Sequence, residues 1–384
     1  MKILQVIPYF TPKRGGDVNA CFNISKELTK KGHDVTIITT EFEFNYEYAE
    51  SIRKIGIKIY PVNYIFQSNS FIYSKAINSW LDKHIKDFDI IHLHEFRSYQ
   101  NISVNKYAKK YNIPYVLQAH GSLMPHYRKQ NLKKLYDEVW GYNILAEASK
   151  VLALTDTEVK QYELFGVLKN RIEIVPNGID LSQYSELPKK GIFRQKYHIN
   201  SDKKIILYLG RLNETKGIDL LINAFINLSS KLKNCTLVLA GPDDGFESYL
   251  KNLVYKNNLG DKVIFTDFIP DHIKNAALVD ADVFVTPKFS GFPITFLEAC
   301  VCGTPIITTN KGDYLKWIHE NAGQVINFDT LELEACLSTM LLDESLRKRL
   351  GENGISLIER EFNWEKVVNR IENIYKNIAL KYED

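Results

Sequence analysis

Short apolar runs alternate with amphipathic segments along nearly the whole chain, and no other feature constrains the fold as strongly. In the first half these runs have the length and composition of buried strands: Ile3–Ile7, Val35–Thr39, Ile90–Leu93, Tyr115–Ala119, Val151–Leu154 and Ile172–Val175. Between the first two runs, apolar residues recur at helical spacing from Val18 to Leu28. This strand–helix–strand order predicts a parallel sheet with helices on both faces.

The alternation stops at Pro176–Asp180 and later resumes. The polar stretch with Pro188 to Gly191 is predicted to be the interdomain linker. The strands predicted after it are Ile205–Leu209, Thr236–Ala240, Val263–Phe265, Val283–Thr286 and Ile306–Thr308. A last segment, from Trp364 to about Lys376, has one apolar face and predicts a separate terminal helix.

Two such patterns within 384 residues predict an α/β protein with two Rossmann-like, doubly wound domains. We place the N-terminal domain at residues 1–178 and the C-terminal domain at residues 179–363. Ligands bind such sheets at the carboxyl ends of the strands. We therefore expect the two domains to face each other across a cleft, lined near Gly15, His120, Arg211 and Glu298.

Composition and charge exclude several classes of protein. The net charge of +3 is too balanced to indicate a nucleic-acid binder. The five cysteines lack the spacing of a disulfide framework or a zinc site, so we predict reduced, packed thiols. The first residues are too short for a signal peptide, and no apolar stretch is long enough to span a bilayer. These features predict a cytoplasmic protein.

Two predicted strand ends carry groups suited to phosphate. Gly15 and Gly16 open the first helix, where free N–H groups favour an anion, although a plain tight turn is the alternative. In the second domain, Arg211 leaves a strand end and Lys216 stands where the next helix begins. Two cations at this place predict a diphosphate clamp rather than a solvated loop.

A third segment, residues 287–300, links a predicted strand to a predicted helix. Its free N–H groups would face the cleft, and the residues concerned are Gly291, Phe292, Pro293, Ile294 and Thr295. Glu298 is suited to accept hydrogen bonds from a ribose diol. The pattern Thr295-x-x-Glu298 is also a capping box, in which Glu298 would only serve the helix start. The pattern leaves both interpretations open.

Histidines and paired aspartates raise the question of metal. His120 ends a strand and is expected to donate to a phosphate or a sugar hydroxyl. His92 and His94 share one strand face without a third ligand at a convincing spacing, and Asp280 and Asp282 join a helix end to a strand. We therefore predict that the protein has no metal site.

In order and spacing, these motifs resemble the retaining glycosyltransferases of the GT-B fold, in the family-4 group. The resemblance is carried by Gly15-Gly16, Gly32-His33-Asp34-Val35, Asp89-Ile90-Ile91-His92, His120-Gly121, Pro176-Asn177-Gly178-Ile179-Asp180, Gly210-Arg211-Leu212, Lys216-Gly217, Ala240-Gly241-Pro242, Leu297-Glu298-Ala299, Cys302-Gly303-Thr304-Pro305 and Phe362-Asn363-Trp364. It covers nearly the whole chain. It implies that the helix of residues 364–384 crosses back to the N-terminal domain, that this domain receives the acceptor, and that the C-terminal domain binds the donor.

The resemblance also implies roles for individual residues. Arg211 and Lys216 would bind the donor diphosphate and neutralise the leaving group, Glu298 would hold the ribose, and backbone groups near Ile269 would contact the base. His120 and the Gly16 loop would meet the donor sugar and phosphate. No metal or other cofactor is implied. Family members usually have a glutamate where this chain has Ser290, and a glycine where it has Pro293, so the contact to the donor sugar differs here.

The implied activity is hexosyl transfer from a nucleoside diphosphate sugar to a saccharide or lipid-linked acceptor, with retention, in polysaccharide or glycoconjugate assembly. A GT-B-fold sugar-nucleotide epimerase and a sugar-nucleotide-binding protein without turnover are the alternatives. After His120, basic residues (His126, Arg128, Lys129, Lys133, Lys134) accompany apolar and aromatic ones (Leu123, Met124, Tyr127, Leu132, Leu135, Tyr136). This composition suits an anionic membrane surface, and a solvated helix packed on the sheet is the other interpretation.

Overall fold

The computed structural model describes residues 1–68, 71–124, 130–289, 291–312 and 315–383. The chain forms two compact units: unit 1 is Met1–Gly178 with Trp364–Asp384, and unit 2 is Ile179–Asn363. The strands are β1 (Lys2–Val6), β2 (Asp34–Thr40), β3 (Lys58–Val62), β4 (Phe66–Ser68), β5 (Phe71–Tyr73), β6 (Ile90–His94), β7 (Tyr115–Gln118), β8 (Lys150–Ala153), β9 (Ile172–Ile174), β10 (Lys204–Leu209), β11 (Cys235–Ala240), β12 (Val263–Phe265), β13 (Val283–Thr286), β14 (Ile306–Thr309) and β15 (Gly323–Ile326).

The α-helices also follow in chain order. They are α1 (Gly16–Lys30), α2 (Tyr46–Arg53), α3 (Lys75–His84), α4 (Tyr99–Tyr111), α5 (Gln130–Tyr136), α6 (Tyr142–Glu147), α7 (Asp156–Leu164), α8 (Ile192–Lys196), α9 (Ile218–Lys231), α10 (Glu247–Lys256), α11 (Asp271–Asp280), α12 (Ile294–Val301), α13 (Thr330–Leu342), α14 (Glu344–Leu357) and α15 (Trp364–Glu383). Single π-helical turns at Asp137–Gly141 and Ile358–Phe362 join neighbouring helices.

Each unit contains one parallel sheet, which confirms the predicted α/β class. In unit 1 the strand order is β3-β2-β1-β6-β7-β8-β9, and in unit 2 it is β12-β11-β10-β13-β14-β15. The chain therefore winds first to one side and then to the other, and the direction reverses between β1 and β6 and between β10 and β13. These two reversals are the topological switch points at which doubly wound sheets bind ligands.

The eleven strands predicted from apolar runs are all present, and four further strands were missed. The edge strands β3 (KIYPV) and β15 (GQVI) lack a continuous apolar run, which is the signal used for the prediction. Edge position alone is not the reason, because the edge strands β9 and β12 have apolar runs and were predicted. The other two missed strands form the short antiparallel hairpin β4–β5, outside both main sheets.

The terminal helix α15 belongs to unit 1 and is longer than predicted, since it continues to Glu383. It packs on α1, and its Val367, Val368, Ile371 and Tyr375 are fully buried in the core of that unit. Trp364, the first residue of α15, packs against Gly178. A Cβ at position 178 would lie 2.8 Å from Cδ2 of Trp364, so only glycine fits at position 178.

Two expectations about thiols and membrane spans can be compared with the structure. All five cysteines are free, and Cys21, Cys235 and Cys300 are buried. Among the described residues, no helix combines the length and apolar character needed to cross a bilayer.

Truncating a buried side chain of α15 should destabilise the protein if the helix completes the core of unit 1. We expect Ile371→Ala to lower the free energy of unfolding by about 2–5 kcal/mol, because a fully buried isoleucine leaves a cavity. The matched control is Leu380→Ala in the same helix, where the side chain is 62% exposed and the expected change is below about 0.5 kcal/mol. Urea unfolding measures both variants, and equal effects would contradict the packing role of α15.

Candidate functional site

In unit 2 the loops that leave β10 and β11 are joined edge to edge. Leu212 N donates to Pro242 O at 2.9 Å, and Asp244 N donates to Leu212 O at 3.1 Å. A Cβ on Gly241 would lie 1.9 Å from Gly210 O, so this close approach of two backbones requires glycine. The glycines of the predicted motifs therefore fix the position of the loop that carries Arg211.

Arg211 extends from this loop and is largely exposed. Its Nη1 donates to Asp244 Oδ2 at 2.7 Å, and Asn213 Nδ2 donates to the same oxygen at 3.1 Å. The side chain of Arg211 is 66% exposed, so the ion pair contributes little stability and leaves other donors of the guanidinium available.

Lys216 and Lys288 lie at the switch point of unit 2. Lys216 ends a short 3-10 turn before α9, while Lys288 follows β13, and Lys288 N donates to Lys216 O at 3.2 Å. Burial lowers the pKa of Lys216, and the nearby charges of Arg211 and Lys288 lower it further. Within the described part of the chain, neither lysine forms an ion pair. These three residues, called the basic cluster below, are suited to bind an anion that compensates their mutual repulsion.

Glu298 lies within α12 and does not form the capping box. The helix is capped by Pro293, without a side-chain hydrogen bond at the cap, and the Glu298 carboxylate points elsewhere. Its Oε1 accepts from Lys274 Nζ at 2.7 Å and from Tyr184 OH at 3.3 Å. Burial lowers the pKa of Lys274, but the carboxylates of Glu298 and Asp271 outweigh burial and raise it overall. Glu298 is thus a buried, charge-paired carboxylate.

The remaining predicted donor-binding residues follow β12 and β13 in unit 2. Ile269 follows β12, and its backbone N–H and C=O form no hydrogen bond with other described residues. Gly291 (φ 75°) precedes α12, Pro293 is the N-cap of that helix, and Ile294 and Thr295 are its first residues. The ring of Phe292 instead packs with Trp317 and Phe362, so only its backbone can face a ligand. Ser290 lies outside the described residues.

In unit 1, the loop after β1 carries both predicted glycines at the start of α1. Gly15 is the N-cap of the helix and Gly16 its first residue, and both are exposed. A Cβ on Gly15 would meet no atom within 4 Å, so internal packing does not require glycine there. Arg14 on the same loop donates to both carboxylate oxygens of Glu43, at 3.0 and 3.2 Å.

Glu95 leaves the end of β6 next to this loop and has the left-handed backbone that non-glycine residues seldom adopt (φ 68°). Tyr9 OH donates to its Oε1 at 2.9 Å. Burial raises the pKa of Glu95 to about 8, and the neighbouring Asp17 carboxylate adds to the rise. A protonated Glu95 can donate to Asp17, whose Oδ2 is buried and accepts no hydrogen bond from the other described residues.

His120 follows β7 and also has a left-handed backbone (φ 51°). Its Nε2 is 2.9 Å from His94 Nδ1, and its Nδ1 is buried without a partner among the described residues. Burial lowers the pKa of His120 to about 4, which Asp17 partly opposes. Arg97 holds the following loop, since its guanidinium donates to the carbonyls of Ser122 and Leu123 at 2.6 and 2.7 Å.

The pairs that resemble metal ligands have structural partners. Asp280 accepts from Gly191 N and Arg194 N, at 2.5 and 3.0 Å, and so ties the predicted linker to α11. Asp282 pairs with Arg194 and Lys204. In the described ranges, no three histidine, cysteine or acidic side chains come together in a way that could hold a metal ion.

Sequence reasoning missed Lys288, Lys274 and Glu95. The first and last stand at the carboxyl ends of β13 and β6, the strands on the far side of each switch point. Knowledge of the strand order would have identified β13 and β6 as the strands next to each switch point, and so Lys288 and Glu95 as candidate site residues. Lys274 had no local signal, because its pairing with Glu298 joins two helices 24 residues apart in sequence.

Known proteins with similar sequences and folds point to one family. The model for Glycosyltransferase Family 4 matches residues 14–183, and that for Glycosyl transferases group 1 matches residues 189–357. YtcC of Bacillus subtilis, a provisionally assigned glycosyltransferase, is 30% identical over 312 residues, which cover 76% of this chain and 73% of YtcC. The phosphatidyl-myo-inositol mannosyltransferase of Mycobacterium leprae is 23% identical over 389 residues, covering 99% of this chain and 97% of that enzyme.

Solved structures share the fold. Anabaena HepE in complex with UDP aligns with a TM-score of 0.78 at 16% identity, covering 98% of this chain and 100% of HepE. HepE has also been solved with UDP-glucose, and that structure aligns with a TM-score of 0.74. At this identity the likeness shows the GT-B fold, as the sequence motifs indicate.

The raised pKa of Glu95 predicts a pH-dependent stability. A carboxyl group whose folded pKa is raised contributes stability below its unfolded pKa and loses that contribution as the pH rises through about 8. The free energy of unfolding of the wild type should therefore fall between pH 6 and pH 9. In Glu95→Gln this fall should be smaller by at least about 1.4 kcal/mol, the equivalent of one pKa unit.

Urea unfolding of wild type and variant at these two pH values measures the effect. The control is Glu320→Gln, because Glu320 also has a left-handed backbone (φ 60°) but its side chain is 80% exposed. An unchanged pH dependence in Glu95→Gln would show that Glu95 is ionised throughout this range.

Proposed function

Because this chain belongs to the glycosyltransferases of the family-4 and group-1 type, we propose that it transfers a hexosyl group from a nucleoside diphosphate sugar to an acceptor hydroxyl, with retention. The observation that carries the proposal is the basic cluster at the switch point of unit 2. HepE, which has the same fold, binds UDP and UDP-glucose, and this supports a nucleotide sugar as the donor.

The basic cluster is proposed to hold the donor diphosphate. Arg211 provides a planar fork of donors, while Lys216 and Lys288 provide point charges. The diphosphate gains negative charge as the glycosidic bond breaks, so these cations stabilise the transition state more than the bound donor. With three protein cations at the leaving group, we propose that the reaction needs no metal ion.

Neighbouring groups are proposed to hold the nucleoside. Oε2 of Glu298 makes no hydrogen bond with other described residues, while Oε1 is occupied by Lys274 and Tyr184. The free oxygen is suited to accept from the ribose diol, and the contact with Lys274 holds the carboxylate in place. The unpaired backbone groups of Ile269 are suited to contact the base. In unit 1, the Gly15–Gly16 loop is proposed to contact a donor phosphate and His120 the donor sugar.

Retention is proposed to proceed by attack on the face that the diphosphate leaves. The bond from the anomeric carbon to the phosphate oxygen breaks, and the acceptor oxygen bonds to the same face of that carbon. The acceptor proton passes to the departing phosphate oxygen. A covalent intermediate would need a free carboxylate nucleophile, and in the candidate site of unit 2 Asp244 and Glu298 are both paired with cations.

Removing one cation of the basic cluster should slow transfer. We expect Arg211→Ala and Lys216→Ala each to lower kcat/KM by about 100-fold or more, and Lys288→Met by about 10-fold, because a charge-assisted contact to the leaving group is lost. Product formation from UDP-, GDP- and ADP-sugars, with EDTA in every reaction, measures this.

The matched control is Lys348→Ala, in which a 76% exposed lysine of the same unit is removed. Wild-type rates in all three cluster variants would refute the proposed diphosphate site. Loss of wild-type activity in EDTA, with recovery on adding Mg²⁺ or Mn²⁺, would refute the metal-free mechanism.

The acceptor is proposed to be a saccharide or a lipid-linked group at an anionic membrane surface. The related mycobacterial enzyme is named for transfer to phosphatidyl-myo-inositol, which supports a lipid acceptor. In unit 1, an exposed apolar stripe follows helical spacing through α5, the π-turn and α6, and its members are Leu132, Leu135, Val139 and Tyr142. Lys133 and Lys134 lie on α5, as an anionic surface would require.

The structure corrects part of the predicted membrane segment. Leu123 and Tyr136 are buried in the core of unit 1, with 0% and 6% of their surfaces exposed, so they cannot contact lipid. Leu132 and Leu135 are exposed, as such a role requires. His126, Tyr127, Arg128 and Lys129 lie outside the described residues. The proposal therefore rests on the stripe.

Charged residues in the stripe should weaken membrane binding. We expect the double variant Leu135→Glu, Val139→Glu to bind vesicles of anionic lipid at least about tenfold more weakly than wild type, because apolar insertion and charge attraction are both reduced. Co-sedimentation at low salt measures binding. Leu342→Glu, a 68% exposed site in unit 2, is the control. Absence of wild-type binding, or equal binding by the double variant, would contradict the proposal.

A further inference from the structure

One face of the unit 1 sheet buries a row of polar side chains. Gln5 on β1 lies beside His92 on β6, and His94 on β6 lies beside Gln118 on β7. At most 1% of the surface of each is exposed, in a core that is otherwise apolar. Buried polar groups cost stability unless they are hydrogen-bonded, so the arrangement of this row needs a reason.

The row connects to His120 at the strand ends through short contacts. His94 Nε2 is 2.7 Å from Gln5 Oε1, and His94 Nδ1 is 2.9 Å from His120 Nε2. The rings of His94 and His120 are nearly parallel, at 9°. On its other side, His94 stacks on His92, whose Nδ1 is 2.7 Å from the Tyr375 hydroxyl of α15.

These contacts determine where the protons lie. A neutral imidazole has one N–H and one acceptor nitrogen. The carbonyl oxygen of Gln5 can only accept, so His94 carries its proton on Nε2 and accepts at Nδ1. His120 must then carry its proton on Nε2 as the donor to His94. Nδ1 of His120 is left as an acceptor, and it has no partner among the described residues.

Burial keeps the three imidazoles neutral near pH 7. It lowers the pKa of His92 to about 3, that of His94 well below its usual value, and that of His120 to about 4. Repulsion from the other imidazoles also contributes for His92 and His94. The directions of the hydrogen bonds between these side chains are therefore those of neutral rings at physiological pH.

We propose that Gln5 and His94 are positioning residues, which fix His120 in the tautomer whose Nδ1 accepts a hydrogen bond from a hydroxyl group of the bound sugar. A phosphate oxygen, which also carries lone pairs, is excluded from this nitrogen. In this proposal Nδ1 of His120 accepts, whereas the sequence-based expectation was that His120 donates to a phosphate or a sugar hydroxyl. The identity of the ligand rests on the proposed glycosyl transfer, whereas the tautomer does not.

Nitrogen chemical shifts test the tautomer directly, without substrate. In protein labelled with ¹⁵N at its nine histidines, long-range ¹H–¹⁵N spectra distinguish protonated from bare ring nitrogens, and His120→Asn identifies the His120 signals. We expect Nε2 of His120 to be protonated and Nδ1 to be bare from pH 8 down to about pH 5. A protonated Nδ1 in the wild-type protein would overturn the proposal, whatever the protein catalyses.

Variants of Gln5 test the positioning role. Gln5→Leu removes the acceptor for His94 and should mix the His120 tautomers, whereas Gln5→Glu retains an acceptor oxygen and should preserve the order. We expect Gln5→Leu to lower kcat/KM about 10-fold, the value of one hydrogen bond, and Gln5→Glu to restore most of it.

The control is Gln118→Leu, because Gln118 is buried on the same face but donates to the Val175 carbonyl, at 3.4 Å, rather than to an imidazole. Its histidine ¹⁵N spectrum should match that of wild type, and its kcat/KM should stay within about twofold of the wild-type value. Equal effects of Gln5→Leu and Gln118→Leu on both readouts would show that Gln5 is only part of the core. An altered tautomer in a protein without transferase activity would uphold the positioning role and refute the proposed function.

Discussion

Parallel pairing of strands is the constraint on which both candidate sites depend. Because all strands of a sheet point the same way, every loop that follows a strand emerges at one edge. The reversal of winding next to β1 and next to β10 then separates two neighbouring loops at that edge and leaves room for a ligand. Arg211 and Lys288 lie on the two sides of one such reversal, and the Gly15 loop and Glu95 lie on the two sides of the other.

Glycine makes this arrangement possible in unit 2. Gly210 and Gly241 have left-handed backbones (φ 154° and 148°), and they let the loops after β10 and β11 touch. Sheet-like hydrogen bonds at Leu212 then extend the pairing of the two strands beyond their ends. The side chain of Arg211 is thus exposed on a base that these backbone contacts hold in place, and a donor fixed in this way is suited to preorganised anion binding.

Apolar periodicity predicted the strands that have an apolar run, the two-unit pattern and the terminal helix. It could not predict β3 or β15, because polar residues and proline or glycine interrupt their sequences, KIYPV and GQVI. Local motifs placed Arg211, Lys216 and Glu298, but they left the role of Glu298 open between helix cap and ligand contact. That question depended on Lys274, a partner on another helix that no local pattern can reveal. Leu123 and Leu135 illustrate the same limit, since equal hydrophobicity gave no sign that one is buried and the other exposed.

The two units present opposite chemistry at their strand ends. In unit 2 the basic cluster gathers three cations, and neither Lys216 nor Lys288 forms an ion pair with other described residues. Burial lowers the pKa of Lys216, and the charges of Arg211 and Lys288 lower it further. In unit 1 the available groups are acceptors: the Asp17 carboxylate and, on the proton order inferred above, Nδ1 of His120. Cations bind phosphate, whereas acceptors bind hydroxyl groups. Each unit taken by itself therefore favours one kind of group, phosphate at the basic cluster of unit 2 and a hydroxyl at Nδ1 of His120 in unit 1.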